Sequence, residues 1–171
     1  MTLPTFVSAA SGGDDTSAAN IAVSRPGAAA ANRFEIVLLY RETNTAVTAS
    51  GYNEYTAGAA VSAGSPNVYL NIFWRRQTGS EGASTTFSWS GSSWRGYVAL
   101  SFDNVQTTGT PLEAAATASG NSASLTGTNI TTLGADRAVI FGAVFFYSSA
   151  SSFGNPNNGT RRGNINALAV L

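Results

Sequence analysis

The sequence predicts an all-β protein, a two-sheet antiparallel β-sandwich of about ten strands in a single domain, with little or no helix. Three observations carry this. Apolar residues recur at every second position, stretches rich in Gly, Ser, Asn and Pro separate such runs, and no long run shows helical spacing.

Taken in order, residues 5–10 and 20–24 read as short strands around the turn Ser11-Gly12-Gly13-Asp14-Asp15. Residues 34–41 are almost continuously apolar, as a central strand covered on both faces should be. Residues 46–50 are a further short strand. Over 68–76, Val68, Leu70, Ile72 and Trp74 fall on one face, predicted to be buried, and Tyr69, Asn71, Phe73 and Arg75 on the other. Residues 85–90 precede a Gly/Ser turn. Residues 94–104 repeat the alternation, with Val98, Leu100 and Phe102 predicted inward and Tyr97, Ala99, Ser101 and Asp103 outward. Residues 124–132, 138–147 and 164–171 complete the set, and 138–147 reads as a second central strand. The last strand either closes its own sheet, the preferred reading, or pairs with the edge of a neighbour. The Ala-rich pieces 28–31 and 114–116 are one turn long and read as connecting loop.

Composition narrows the function. Charged residues make up 11% of the 171, against roughly 25% in a typical soluble domain. Nine basic and nine acidic residues balance, so no field for binding nucleic acid is expected. The longest apolar runs are about ten residues, too short for a membrane-spanning helix. The opening Met1-Thr2-Leu3-Pro4 has no secretory pattern.

The chain has no His and no Cys, and all nine of its basic residues are Arg. Acid–base and nucleophilic chemistry would therefore fall to scattered carboxylates, Tyr or Ser, and no catalytic residue, cofactor or metal is expected. Asp14 and Asp15 could offer oxygens to Ca²⁺, but two adjacent acids in a Gly-rich turn fall well short of its six to eight ligands. An ordinary turn is the preferred reading.

Aromatic and Arg residues are the remaining candidates. Phe87 and Trp89 share a face and read as core, while Trp94, beyond Ser90-Gly91-Ser92-Ser93, is either core or an outward platform for a sugar ring or partner side chain. Arg75, Arg76 and Arg95 are candidate interface anchors, or the solvated ends of strands. Arg161 and Arg162 follow an Asn/Gly loop and read as exposed. Asn129-Ile130-Thr131 and Asn158-Gly159-Thr160 match a glycosylation pattern by chance in so Asn- and Thr-rich a chain.

Nearly the whole chain contributes to a likeness in core and turn pattern. Its motifs are Phe6-Val7-Ser8-Ala9-Ala10-Ser11, Ile21-Ala22-Val23-Ser24-Arg25-Pro26, Ile36-Val37-Leu38-Leu39 and Ser50-Gly51-Tyr52. They continue with Ile72-Phe73-Trp74-Arg75-Arg76, Thr86-Phe87-Ser88-Trp89-Ser90, Ala99-Leu100-Ser101-Phe102 and Thr110-Pro111-Leu112-Glu113-Ala114. In these it resembles the sandwich domains common in virion proteins of tailed phages and prophages.

The resemblance implies a jelly-roll-like structural component of the virion, made in the host cytoplasm, with no catalytic residues to carry over. On that basis the expected role is a capsid decoration (cement) protein. It would dock on and bridge subunits of the major capsid protein, or other virion proteins, as a homo-oligomer, with a trimer at local three-fold positions drawn from the analogy. The alternatives are a tail or baseplate accessory, or a carbohydrate-binding module in which Trp94, Tyr52 and Tyr55 stack on a host glycan.

Overall fold

The computed structural model describes residues 3–55, 69–116, 131–132, 134 and 137–140. Among them are six strands and no helix: β1 (Thr5–Ser24), β2 (Phe34–Arg41), β3 (Thr48–Ala49), β4 (Asn53–Glu54), β5 (Tyr69–Arg76) and β6 (Ser84–Asp103). All pairings are antiparallel. The order is β1-β6-β2-β5-β4, with β3 on β6.

The two expected sheets are two halves of one hydrogen-bonded sheet folded over on itself. The first part of β1 pairs with the second part of β6, from Thr5↔Asp103 to Asp14↔Arg95. Beyond a corner, the second part of β1 pairs with the first part of β6, from Asn20↔Ser88 to Ser24↔Ser84. Strands β2, β5 and β4 extend the first layer, and β3 extends the second. The register jumps at Asp14/Ala18 and Ala18/Asn20 mark the corner, where bulges let a strand change direction and layer. Gly91 at the corner has φ +80°, which glycine adopts without a Cβ penalty.

The strand count is thus lower than predicted. The stretch at 11–15 is paired strand as far as Asp14, with the corner just after it, and 90–93 lies at the corner of β6; neither is a break between separate strands. Gly and Ser permit either outcome, and alternation on the two sides looks the same. The short strand predicted at 46–50 narrows to Thr48–Ala49, and Asn53–Glu54 adds one that the sequence did not suggest. Residues 131–132 and 138–140 are irregular. The rest of 124–132 and 138–147, and all of 164–171, lie outside the described residues.

The odd-numbered side of β6 faces the interior in both layers. Phe87 and Trp89 from one layer meet Val37, Leu39, Phe73, Tyr97 and Ala99 from the other, with Ile21 and Val23 of β1. Phe87 lies edge-on to Phe73 at 5.2 Å between ring centres. On the reverse of the larger layer, Phe34, Ile36, Leu100 and Phe102 form a second cluster, against which Phe6, Trp74, Val105, Leu112 and Ile140 pack.

This corrects two face assignments. Tyr97, Ala99 and Ser101 are buried, not outward, and Asn71, Phe73 and Arg75 are more deeply buried than Ile72 and Trp74. The faces alternate as predicted, but this layer is covered on both sides, so alternation separates two buried environments. In the smaller layer it separates core from solvent, with Ser84, Thr86 and Ser90 of β6 and Asn20, Ala22 and Ser24 of β1 exposed.

At the 28–33 loop Asn32 takes the left-handed conformation at φ 64° and donates its N–H to the Gln77 carbonyl at 2.9 Å. Asn tolerates this backbone better than most residues.

Gly12 is required for packing. A Cβ there would come within 2.8 Å of Tyr97 Cε1, and the Tyr97 hydroxyl is fixed by the Ser24 N–H at 3.0 Å. Gly12→Ala is expected to lower unfolding stability by about 1–3 kcal/mol in urea titration. Gly82→Ala, whose Cβ would meet nothing closer than 3.7 Å, should change it by less than about 0.5 kcal/mol.

Candidate functional site

The interior between the layers is apolar in the middle and polar at both ends. Register explains this. On β2 the inward residues are Glu35, Val37, Leu39 and Arg41, so two aliphatic positions lie between two charged ones.

At one end Glu35, fully buried, lies opposite Arg75 on β5 and Ser101 on β6. Its Oε2 accepts from Arg75 Nη2 at 2.7 Å, Arg75 Nε at 2.8 Å and Gln77 Nε2 at 3.0 Å. Its Oε1 accepts from the Tyr52 hydroxyl at 2.5 Å. The Arg75 guanidinium stacks on the Tyr52 ring at 4.4 Å. Burial, reinforced by the Glu35 charge, pushes the Tyr52 hydroxyl well above the usual tyrosine range. Tyr52 lies between β3, which pairs with β6, and β4, which pairs with β5. Its ring also meets Phe87 at 4.9 Å, so it ties the layers together where their edges meet.

At the other end Arg41, 2% exposed, donates Nε–H to Asn71 Oδ1 at 3.3 Å. Its terminal nitrogens donate to Thr45 Oγ1 at 3.1 Å and to the Thr45 carbonyl at 2.5 Å. The guanidinium faces the Trp89 ring at 5.7 Å. Asn71 Nδ2 donates to Glu54 Oε1 at 3.0 Å. Burial lowers the Arg41 pKa from its ordinary value, against the opposing pull of Glu54.

Arg95 is the neighbour of Arg41 across β2 and β6. It is 9% exposed and donates to the carbonyls of Asn20, at 2.7 Å, and Thr16. A shallow cleft of about 270 Å³ opens beside it, lined also by Gly12, Gly13, Ile21 and Tyr97.

Of the residues singled out from sequence, Arg75 and Arg95 are therefore buried and committed to this chain's own acceptors, and do not point outward. Burying a long cation is favourable only where such acceptors meet it, and register supplies them here. Tyr52 and Arg75 are brought together, but around Glu35 in the interior. Arg76 is half-buried and donates to the Gly109 carbonyl at 3.2 Å. Tyr55 is half-buried, with its N–H on the Ile72 carbonyl. Trp94 is half-buried and directly follows Ser93, whose hydroxyl accepts from the Glu42 N–H and donates to the Trp94 carbonyl. Arg161 and Arg162 lie outside the described residues. Trp89 is core, as its alternation with Phe87 predicted.

The groups missed from sequence are Glu35, Arg41 and Gln77. A signal was available for the first two, since a charge inside or closing the apolar run Phe34–Arg41 needs an interior partner.

The other carboxylates whose side chains are described also bond to groups of this chain. Arg33 grips Asp103 with two bonds, at 2.9 and 3.1 Å. Glu42 accepts from Tyr40 at 3.3 Å, and Arg137 pairs with Glu113. Glu81 caps its own turn through Thr78 and the Gly79 N–H; burial pushes its carboxyl up, and these bonds hold it below the usual range overall. Among the described residues no group of three His, Cys, Asp or Glu lies together.

The Arg33 hydrogen bond also holds the Asp103 carboxyl below the usual range. A lowered folded-state pKa contributes stability that is present above the unfolded value, about 3.9, and is lost as pH falls through the folded one. The acid limb of a stability–pH curve below about pH 4 should therefore flatten in Asp103→Asn. The effect should be small, because the Asp103 side chain is 45% exposed.

Among the described residues, the outward side of the smaller layer presents an exposed polar face. Asn20, Ala22, Ser24, Thr48, Ser84, Thr86 and Ser90 are exposed there, and none is charged. Compared with known proteins, the chain matches no family model, no curated protein and no solved structure.

Proposed function

We propose that this protein is a structural component of a phage virion, a capsid decoration protein that docks on and bridges major capsid subunits. One observation carries the reading: the Arg, Asp and Glu side chains that the structure describes bond to groups of this chain, while the outward face of the smaller layer is small, polar and uncharged. Docking such a face immobilises few flexible side chains and strips no charge of water, which are two main costs of association. Modest contacts of this kind become strong when repeated on a symmetric shell. The likeness in motif pattern to phage virion sandwich domains supplies the partner. The proposed assembly is a homo-oligomer, a trimer at local three-fold positions.

The test is quantitative mass spectrometry of purified particles of the phage that encodes the chain, followed by electron microscopy. Hundreds of copies per particle, placed on the shell, support decoration. A handful of copies at the tail indicates an accessory of the tail or baseplate, and none removes the virion reading.

A carbohydrate-binding module is the second reading, favoured by Trp94, which keeps part of its surface open beside the corner. Calorimetric titration with host polysaccharide separates the two. Binding at millimolar strength or tighter that is lost in Trp94→Ala favours the glycan reading.

A further inference from the structure

The interior at the Arg41 end holds a cation without a carboxylate. Among the described residues, the hydrogen bonds from Arg41 go to neutral acceptors, Asn71 and Thr45, and no carboxylate pairs with it within 4 Å. Glu54 pulls on it from a distance and bonds to Asn71, not to the guanidinium, and Glu42 is turned to Tyr40. The neighbour across the ladder is a second cation, Arg95. Trp89, 7% exposed, presents a buried Nε1–H with no partner, on the ring that the Arg41 guanidinium faces. Thr43 Oγ1, two residues beyond Arg41 in the segment that ends at its partner Thr45, is likewise buried and unpartnered. A buried charge and buried donors left unmet are costly, and each calls for a partner.

We propose that this corner of the interior binds a small monovalent anion, of halide size, between Arg41, Trp89 Nε1 and Thr43 Oγ1. An anion meets both needs at once: it balances the guanidinium and accepts from the indole N–H and the hydroxyl. Arg41 and Trp89 are almost entirely covered, which excludes large oxyanions and favours an ion the size of chloride. A water molecule in the same place would satisfy Trp89 but leave the charge unbalanced, and the two occupants respond differently to salt.

The experiment compares melting temperature in sodium chloride and in sodium gluconate at equal ionic strength, with bromide-soaked crystals measured at the bromine edge. Linkage predicts that the wild type melts about 3 °C higher for each tenfold rise in chloride above the dissociation constant, and not in gluconate. Trp89→Phe, which keeps a ring but removes the N–H, should reduce that slope. Arg41→Met, close in length and uncharged, should abolish it. An anomalous bromide peak beside Arg41 and Trp89 completes the case. Equal melting curves in the two salts, or a chloride effect that survives Arg41→Met, would overturn the proposal. A water or an empty gap gives the first of these results, and an anion bound elsewhere gives the second.

Discussion

Glu35→Ala is expected to reduce unfolding stability by about 3–5 kcal/mol, the range for stranding one member of a buried ion pair. That is a large share of the roughly 5–15 kcal/mol that holds a domain of ordinary stability. The substitution leaves Arg75 as a buried cation, and it orphans Gln77 Nε2 and the Tyr52 hydroxyl. Urea denaturation would show the loss as a fall in midpoint with little change in slope. The informative comparison is the pair of replacements Glu35→Leu and Arg75→Met made together. Removing both charges avoids the stranded cation, so the double variant should be markedly more stable than Glu35→Ala. If the double variant is as unstable as the single one, the pair contributes packing or backbone order and not charge neutralisation.

The second large effect is expected at Phe87. Its side chain is fully buried, meets Phe73 and Tyr52, and lies in the smaller layer facing the larger one. Phe87→Ala should lower stability by about 3–5 kcal/mol through lost transfer energy and the cavity left behind. The loss removes contact between the layers and should loosen the 48–55 connection in particular. Hydrogen exchange of the Tyr52 and Tyr55 amides, which donate to the Ala49 and Ile72 carbonyls, should then accelerate more than that of central β2. Uniform acceleration would mean that Phe87 supports both layers equally.

The all-β architecture was legible because alternation is a property of the sequence itself. Residues 34–41 were placed correctly as a strand buried on both faces, and Phe87 and Trp89 as core. The continuity of β1 and β6 was not legible, since a Gly/Ser corner and a Gly/Ser hairpin use the same residues. The inward side of residues 94–104 was also misassigned: with apolar material on both faces, hydrophobicity alone does not say which one the second layer covers. Arg75 shows the same limit at the candidate site. Its side chain reads as surface until the register places Glu35 directly opposite, and register is fixed by pairings far apart in the chain.

That separation has a consequence for how the protein comes into being. Ser24 waits for Ser84, and Thr5 for Asp103, so neither layer closes until β6 has been synthesised. At about 5–20 residues per second, the nascent chain carries a twenty-residue strand without its ladder partner for several seconds. Truncation anywhere before β6 removes the common middle member of both halves. Such a fragment should aggregate or be degraded rather than yield half a domain.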